Sequence, residues 1–108
     1  MAMSTRYATT EPTLAEVEEM DGAALLEFGS PTCGFCHAAQ PSIEAAFTGH
    51  DTIKHVKIAD GSGRLLGRSF GVKLWPTLVF LKNGDEVARL VRPEDAEPIQ
   101  AALQKIAG

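Results

Sequence analysis

The two cysteines of this chain, Cys33 and Cys36, stand three residues apart in the run Cys33-Gly34-Phe35-Cys36. An apolar run, 23–28, precedes them, and a segment with helical character, 34–47, follows. A thiol where a strand passes into a helix faces the unpaired N–H groups of the helix N-terminus, which stabilise a thiolate. The second thiol lies one turn away and can close a reversible disulfide. The spacing predicts thiol–disulfide exchange, with Cys33 as the exposed nucleophile and Cys36 as the buried resolving thiol.

Two other uses of the thiol pair stand beside this one. A pair of purely structural thiols is the plain alternative, although a disulfide closing a four-residue loop would stabilise a fold little. A zinc site needs about four ligands. The remaining candidates, His37, His50 and His55, show no partner spacing. The sequence therefore predicts no metal site.

A third alternative is covalent haem attachment, because residues 33–37 also match the pattern Cys-x-x-Cys-His. Haem needs a second axial ligand and a helical apolar pocket. The chain is rich in predicted strands, and Met3 and Met20, both upstream, are poor candidates for the second ligand. We expect no haem, and a dithiol cycle requires no other bound cofactor.

Length and composition describe one small domain. The 108 residues are 44% hydrophobic and 22% charged, with a net charge of −4, so the chain can bury a single core and offers no basic surface for nucleic acid. No apolar run approaches the ~20 residues that span a bilayer. No signal peptide is visible at the start, which favours a cytoplasmic location. A leader removed before residue 1 would leave the same sequence, so that alternative stays open.

The remaining pattern predicts alternating strands and helices. Residues 1–12 are polar and form an N-terminal segment that can add an edge strand, and residues 13–108 form the domain. Thr13 and Glu16 have the spacing of a capping box, and Asn83-Gly84 signals a hairpin turn. The order indicates an α/β fold, a mixed sheet with helices on both faces. The predicted strands are 23–28, 52–58, 77–81 and 86–91. The predicted helices are 14–20, 34–47, a short one around Leu65, Leu66 and Phe70, and one from about Pro98. The expected core includes Leu65, Leu66, Phe70, Ile99, Leu103 and Ile106.

In this order the motifs resemble the thioredoxin family over residues 13–107. Pro41 stands five residues after Cys36, where thioredoxins have a helix-kinking proline, and Lys57 lies on a following strand. The run 70–72 precedes Trp75-Pro76-Thr77, and a strand and Lys82-Asn83-Gly84 follow. The resemblance implies the thioredoxin fold and disulfide exchange.

The resemblance also implies a role for Glu27, a lone acid in an apolar run. A buried carboxyl with a raised pKa would take the proton from Cys36 during resolution, through water. Lys57 would pair with Glu27 from the adjacent strand. The alternative is that Glu27 and Lys57 are two solvated charges.

Trp75 and Pro76 are implied to contact substrate. The bond between them is expected to be cis, in a turn beside the reactive thiol that leaves backbone groups free to pair with an extended substrate. Phe35 and Trp75 would form an apolar rim around Cys33. Plain core packing is the alternative for Trp75.

The chain departs from thioredoxins proper at several positions. Thr32 and Phe35 replace the tryptophan before the first cysteine and the proline within the motif, and Glu27 stands where thioredoxins have an aspartate. Trp75 replaces an aliphatic residue, and Arg92-Pro93 follows the last strand in place of a glycine. These differences leave the reaction class intact and leave the substrate and the redox poise open.

The sequence therefore predicts an enzyme that reduces protein disulfides through a Cys33/Cys36 dithiol–disulfide cycle. Its expected partners are a disulfide-containing protein and a recycling reductase or glutathione. It is expected to act as a monomer, without nucleic acid or membrane. The alternative is a redox-sensing binding module that uses the same surface.

Overall fold

The computed structural model describes residues 3–107. The elements in chain order are α1 Leu14–Glu18, β1 Ala23–Gly29, α2 Gly34–Ala46, β2 Lys54–Ala59, α3 Leu65–Ser69, β3 Thr77–Lys82, β4 Asp85–Val91 and α4 Ala96–Ala107. The strands form one sheet in the order β2-β1-β3-β4. β1 and β2 are parallel, and the other two pairs are antiparallel. The predicted α/β fold with a mixed sheet is confirmed.

β1 lies in the middle of the sheet and sends alternate side chains to opposite faces. Leu25 packs with α2 and α4 in one hydrophobic cluster. Leu26 and Phe28 pack with α1 and α3 in the other. Glu27 is two residues from Leu25, so it points towards the α2 face. The helices therefore cover both faces of the sheet, and the lone acid of β1 lies beneath the helix that begins at the thiol pair.

The N-terminal segment runs along the free edge of β2. Tyr7 forms an isolated parallel bridge with Lys57, and the Ala8 N–H donates to the Lys57 carbonyl at 2.8 Å. Met1, Ala2 and Gly108, which belong to the predicted divisions 1–12 and 13–108, lie outside the described residues. The boundary between those divisions stays a prediction. No helix in the described part of the chain is long and apolar enough to cross a membrane.

Several element boundaries differ from the predicted ones. α1 ends at Glu18 instead of residue 20, and β2 begins at Lys54 instead of residue 52, because the turn at residues 51–52 extends further than its residue types indicated. α4 begins at Ala96 and so includes Pro98 in its first turn, where backbone N–H groups have no helical partner and proline is tolerated. α2 continues through Pro41 to Ala46.

One predicted core residue is on the surface. Leu65 is the first residue of α3 and its side chain is 65% exposed, whereas Leu66 beside it is buried. A five-residue helix packed on a sheet can bury only one side of its circumference, so adjacent leucines cannot both face inwards. The prediction was wrong for Leu65; Phe70 is half-buried and its ring packs against Phe28, with centroids 5.6 Å apart.

Candidate active site

Cys33 is the N-cap residue of α2. Its backbone is extended, and its Sγ accepts a hydrogen bond from the Cys36 N–H at 3.2 Å. Both cysteines are free thiols; Cys33 is partly exposed, and Cys36, one helical turn further on, is buried. The end of β1 and the start of α2 therefore place one sulfur at the surface and the other beneath it.

The two thiols have opposite pKa shifts. Partial burial opposes ionisation of Cys33, but hydrogen bonds from the Cys36 thiol and from the N–H groups of Cys36 and Phe35, together with the Arg92 charge, lower the pKa of Cys33. Burial raises the pKa of Cys36 to about 12, helped by its hydrogen bond to Cys33 and by the charges of Cys33 and Glu27. Of the two thiols, Cys33 is therefore the one that ionises more readily.

Glu27 is fully buried at the centre of a polar network. Its Oε1 accepts from His55 Nε2 at 2.8 Å, and its Oε2 accepts from Gln40 Nε2 at 2.8 Å. Lys57 Nζ lies 3.8 Å from Oε2 and donates to Gln40 Oε1 at 3.1 Å. Lys57 is also buried, so Glu27 and Lys57 are not two solvated charges. Ser4 N–H donates to His55 Nδ1 at 2.8 Å, which leaves the ring proton on Nε2, facing the carboxylate.

The structure contradicts the prediction that the pKa of Glu27 is raised. Burial does raise it, but hydrogen bonds from His55 and Gln40 and the charge of Lys57 outweigh the burial, so the pKa of Glu27 is lowered. Both carboxylate oxygens are occupied by donors. Glu27 is therefore an ionised carboxylate in the resting protein.

We predict that acid destabilises the parent protein more steeply than the Glu27→Gln variant. A carboxyl whose folded-state pKa is below its ordinary value of 4.5 favours folding above that value, and its contribution disappears as pH falls through the folded-state pKa. The difference in slope between the two proteins reaches at most about 1.4 kcal/mol per pH unit. Urea unfolding from neutral to acid pH measures it. Parallel stability curves would contradict the predicted ionisation.

A cavity of about 480 Å³ opens beside the buried thiol, lined by Cys36, Tyr7, Gln40 and Lys57 among others. Tyr7 lines this cavity with Cys36, and Lys57 Nζ lies 4.8 Å from the centre of the Tyr7 ring. Sequence reasoning missed Tyr7 because it lies in the polar N-terminal segment, far from the thiols along the chain. The cavity opens a route from the region of the buried sulfur towards solvent.

His55 and Gln40 were also missed as site residues, and the sequence carried a signal for each. His55 and Lys57 lie two apart on β2, so both face the same side of the sheet, and in the register β1 pairs Glu27 with Lys57. Gln40 lies one turn after Cys36, and its Nε2 donates to the Cys36 carbonyl at 2.9 Å. No group of three or more His, Cys, Asp or Glu side chains within residues 3–107 is arranged to hold a metal ion.

Arg92 contacts all three of the predicted substrate-contact residues, Phe35, Trp75 and Pro76. Its guanidinium lies 3.9 Å from the centre of the Phe35 ring, which is 59% exposed. Its Nε donates to the Trp75 carbonyl at 2.8 Å, and its N–H donates to the Pro76 carbonyl at 2.9 Å. The Trp75–Pro76 bond is cis. The expectation that this turn leaves its backbone groups free is wrong for these two carbonyls, because Arg92 occupies both.

Trp75 itself is only partly buried. Its indole Nε1 donates to Asp60 Oδ2 at 2.9 Å, and Asp60 approaches α3 at Gly67, where any larger residue would collide with the carboxylate. Trp75 is therefore held by a polar partner at the surface and is not a plain core residue.

An α/β fold of this topology with a Cys-x-x-Cys pair at the start of its second helix defines a class of dithiol proteins, the thioredoxin-like proteins. The sequence model of the thioredoxin family matches residues 5–105, and the chain belongs to that family. It is 27% identical over 104 residues to the thioredoxin of Porphyra purpurea, covering 95% of this chain and 97% of that one. Thioredoxin 1 of Synechococcus elongatus is 32% identical over 91 residues, covering 82% of this chain and 85% of its own.

The solved structure of thioredoxin 2 from Pseudomonas aeruginosa PAO1, in its reduced form, is 47% identical and superimposes with a TM-score of 0.86 over 98% of each chain. Family and fold agree on the reaction class. The protein is a thiol–disulfide oxidoreductase, as the sequence predicted. The alternative of a redox-sensing binding module finds no support among these relatives.

Proposed function

We propose that the protein reduces disulfides in other proteins, with Cys33 as nucleophile. The observation that carries this proposal is the geometry of the thiol pair: Cys33 is partly exposed at the N-cap of α2, its Sγ accepts from the Cys36 N–H at 3.2 Å, and Cys36 is buried. The lowered pKa of Cys33 and the raised pKa of Cys36 agree with these roles. The Cys33 thiolate attacks one substrate sulfur, a Cys33–substrate disulfide forms, the substrate disulfide breaks and its other sulfur leaves as a thiolate. Cys36 then attacks Cys33, and the second substrate thiolate leaves. Two electrons pass from the dithiol to the substrate.

The interactions between the two thiols also control when Cys36 becomes reactive in the second step. In the resting protein, the hydrogen bond to Cys33 and the Cys33 charge are two of the causes that raise the pKa of Cys36. Both disappear when Cys33 is bonded to substrate, because its sulfur then carries no charge. Cys36 therefore becomes more acidic only after the mixed disulfide has formed, which is when its thiolate is needed.

We assign Glu27 as the proton acceptor for Cys36, with Lys57 and His55 holding the carboxylate ionised. Gln40 Nε2 donates to Glu27 Oε2 at 2.8 Å and to the Cys36 carbonyl at 2.9 Å, so one side chain separates the carboxylate from the backbone of Cys36. The cavity beside Cys36 is lined by Gln40 and Lys57, the two side chains next to Glu27 Oε2, and solvent in it would carry the proton towards the carboxylate. The lowered pKa of Glu27 makes it a ready but weak base.

The Glu27→Gln variant separates this role from a purely electrostatic one. If Glu27 accepts the proton, we expect the second step to slow about tenfold or more with the first attack nearly unchanged. If Glu27 acts only through its charge, removing that charge makes the Cys36 thiolate easier to form, and the second step speeds up. Single-turnover kinetics with a disulfide-bonded protein measures both steps. Acceleration, or equal slowing of both steps, contradicts the proton-acceptor role.

We assign Tyr7 as a hydrogen-bond donor to the Cys36 sulfur. Burial and the nearby charges of Cys36, Glu27 and Cys33 raise the pKa of Tyr7, so its hydroxyl stays protonated and can donate when Cys36 ionises. A hydrogen bond to a charged group is worth more than one to a neutral thiol. The bond therefore favours the attacking thiolate of the second step over the resting thiol.

For Tyr7→Phe we predict a second step about tenfold slower and a first attack within about twofold of the parent. The ring and its contact with Lys57 Nζ, 4.8 Å from the ring centre, are retained, so the packing of the N-terminal segment is matched between the two proteins. The rates of mixed-disulfide formation and release give both values. Equal slowing of both steps would indicate that Tyr7 acts only by supporting the fold.

We assign substrate contact to Phe35, Trp75 and Pro76. The support is Arg92, which contacts the Phe35 ring and donates to the Trp75 and Pro76 carbonyls. The partner that is reduced is a disulfide-containing protein, and a reductase or glutathione restores the dithiol, so no bound cofactor takes part. A monomer in the cytoplasm is the state in which we expect this cycle to run.

The reduction potential of the Cys33–Cys36 pair tests the direction of the reaction. Equilibration in glutathione buffers followed by alkylation trapping measures it. A value near −270 mV, about that of a reducing thioredoxin, is expected for a reductase. A value between about −200 and −120 mV would overturn the reductase assignment in favour of an oxidase, an isomerase or a glutathione-coupled role.

A further inference from the structure

The surface around Trp75 has a charge opposite to that of the whole chain. The sequence has 14 acidic and 10 basic residues. A hollow of about 220 Å³ beside Trp75 is nevertheless lined by Arg64, Arg68 and Lys73, against one carboxylate, Asp60. All three cations are exposed, and within residues 3–107 none of them forms an ion pair.

Arg92 adds a fourth positive charge next to Trp75, because its Nε donates to the Trp75 carbonyl. Its backbone has φ 50°, a left-handed conformation that glycine adopts freely and that other residues rarely adopt. The residue at this strained position has a long cationic side chain, which contacts Phe35 and the Trp75 carbonyl. Arg92 and Phe35 also line a groove of about 230 Å³ whose one carboxylate is Glu94. Glu94 is exposed and forms no ion pair within the described residues.

We infer that this surface, formed by Arg64, Arg68, Lys73 and Arg92 around Trp75, selects disulfide substrates whose cysteines are flanked by acidic residues. The inference rests on the proposed function, because it names the substrate class for that same site. In the free protein Arg92 Nε occupies the Trp75 carbonyl at 2.8 Å. An extended substrate that pairs with this carbonyl displaces the guanidinium, and a substrate carboxylate then provides its new partner.

The distance over which charges interact decides whether an acidic substrate is attracted by the nearby cations or repelled by the net charge of the chain. At physiological ionic strength, charges more than about 8–10 Å apart are largely screened. A carboxylate docked beside Trp75 therefore interacts with the four nearby cations more strongly than with the distributed net charge of −4. Attraction of this kind acts mainly on the rate of encounter and weakens at high salt.

The test compares synthetic peptides that contain the same disulfide flanked by glutamate, glutamine or lysine. We expect kcat/KM for the glutamate peptide to exceed that for the lysine peptide about tenfold at low salt, with the ratio shrinking at high salt. Arg92→Gln should reduce the ratio, and so should the triple change Arg64→Gln, Arg68→Gln and Lys73→Gln. Arg92→Lys should retain it. Because the Arg92 charge also acts on Cys33, the ratio between peptides is the quantity to compare, and not the absolute rate.

Lys54→Gln is the matched control, because it removes one exposed positive charge far from Trp75. Lys54 is the first residue of β2, about 17 Å along the strand from Ala59, the last residue before Asp60. It should leave the ratio unchanged. Equal rates for the three peptides, or a ratio that survives loss of the four cations, would overturn the inference alone. Reduction of the uncharged bis(2-hydroxyethyl) disulfide reports on the thiol chemistry, so failure with that compound and every peptide would overturn the proposed function itself.

Discussion

The Cys36→Ser variant is expected to stop halfway through the reaction and accumulate a covalent complex with its substrate. Cys33 keeps its place at the helix start and the Cys36 N–H that donates to its sulfur at 3.2 Å, because a backbone group is unaffected by the substitution. The serine hydroxyl can still donate to the Cys33 thiolate but cannot displace the substrate. Turnover should fall by several orders of magnitude while the first attack stays within about tenfold.

The Cys33→Ser variant is expected to lose both the covalent complex and the turnover. The remaining thiol, Cys36, is buried, and burial, the largest cause of its raised pKa, persists in the variant, so Cys36 offers little thiolate and little access to a substrate sulfur. Mass spectrometry of each variant after incubation with a disulfide-bonded protein measures the fraction that is covalently bound to that protein. The double variant, with both cysteines replaced by serine, is the control for non-covalent carry-over. Equal trapping by the two single variants would contradict the assignment of Cys33 as the nucleophile.

The second large effect is expected at Gly29, the last residue of β1. A methyl group on Gly29 would place its carbon 2.6 Å from Cys36 Sγ and 3.1 Å from the Tyr7 hydroxyl oxygen. Both distances are shorter than normal van der Waals contacts, so the resolving sulfur has to move. We predict that Gly29→Ala lowers the free energy of unfolding by roughly 1–3 kcal/mol, the usual cost of overpacking a buried position. We also expect the second step to slow more than the first.

Gly34→Ala is the matched control for the stability measurement. It adds the same methyl group to the other glycine of the strand-to-helix junction, yet no heavy atom lies within 4 Å of the position of that methyl. Because Gly34 is the first residue of α2, alanine there should leave stability unchanged or slightly raised. Urea unfolding of the three proteins gives the comparison. A Gly29→Ala protein as stable as the parent and as fast in its second step would contradict the steric role.

What the sequence by itself determined is the local chemistry of the thiol pair and the frame that carries it. Cys33 and Cys36 are three residues apart at a strand-to-helix junction, so their separation and their access to the helix N-terminus follow from local geometry. The apolar periods of the strands and of α4 placed the core, because burial of one face is a property that each element shows in its own sequence. The α/β fold and the reaction class therefore followed from the sequence.

The tertiary structure alone decided the electrostatics around that pair. The sign of the Glu27 pKa shift depends on hydrogen bonds from His55 and Gln40, which come from different elements. The sequence indicated the burial of Glu27 and its pairing with Lys57, but not these two hydrogen bonds, and so predicted the opposite sign. Tyr7 reaches Cys36 across 29 residues of chain, and Arg92 covers the Trp75 carbonyl from the end of β4. Hydrogen bonds and charges act over a few ångströms in space, whereas periodicity records only which face of an element is apolar. The order of the residues therefore shows what chemistry the chain can perform, and their packing sets the protonation of each group and the substrate that the site accepts.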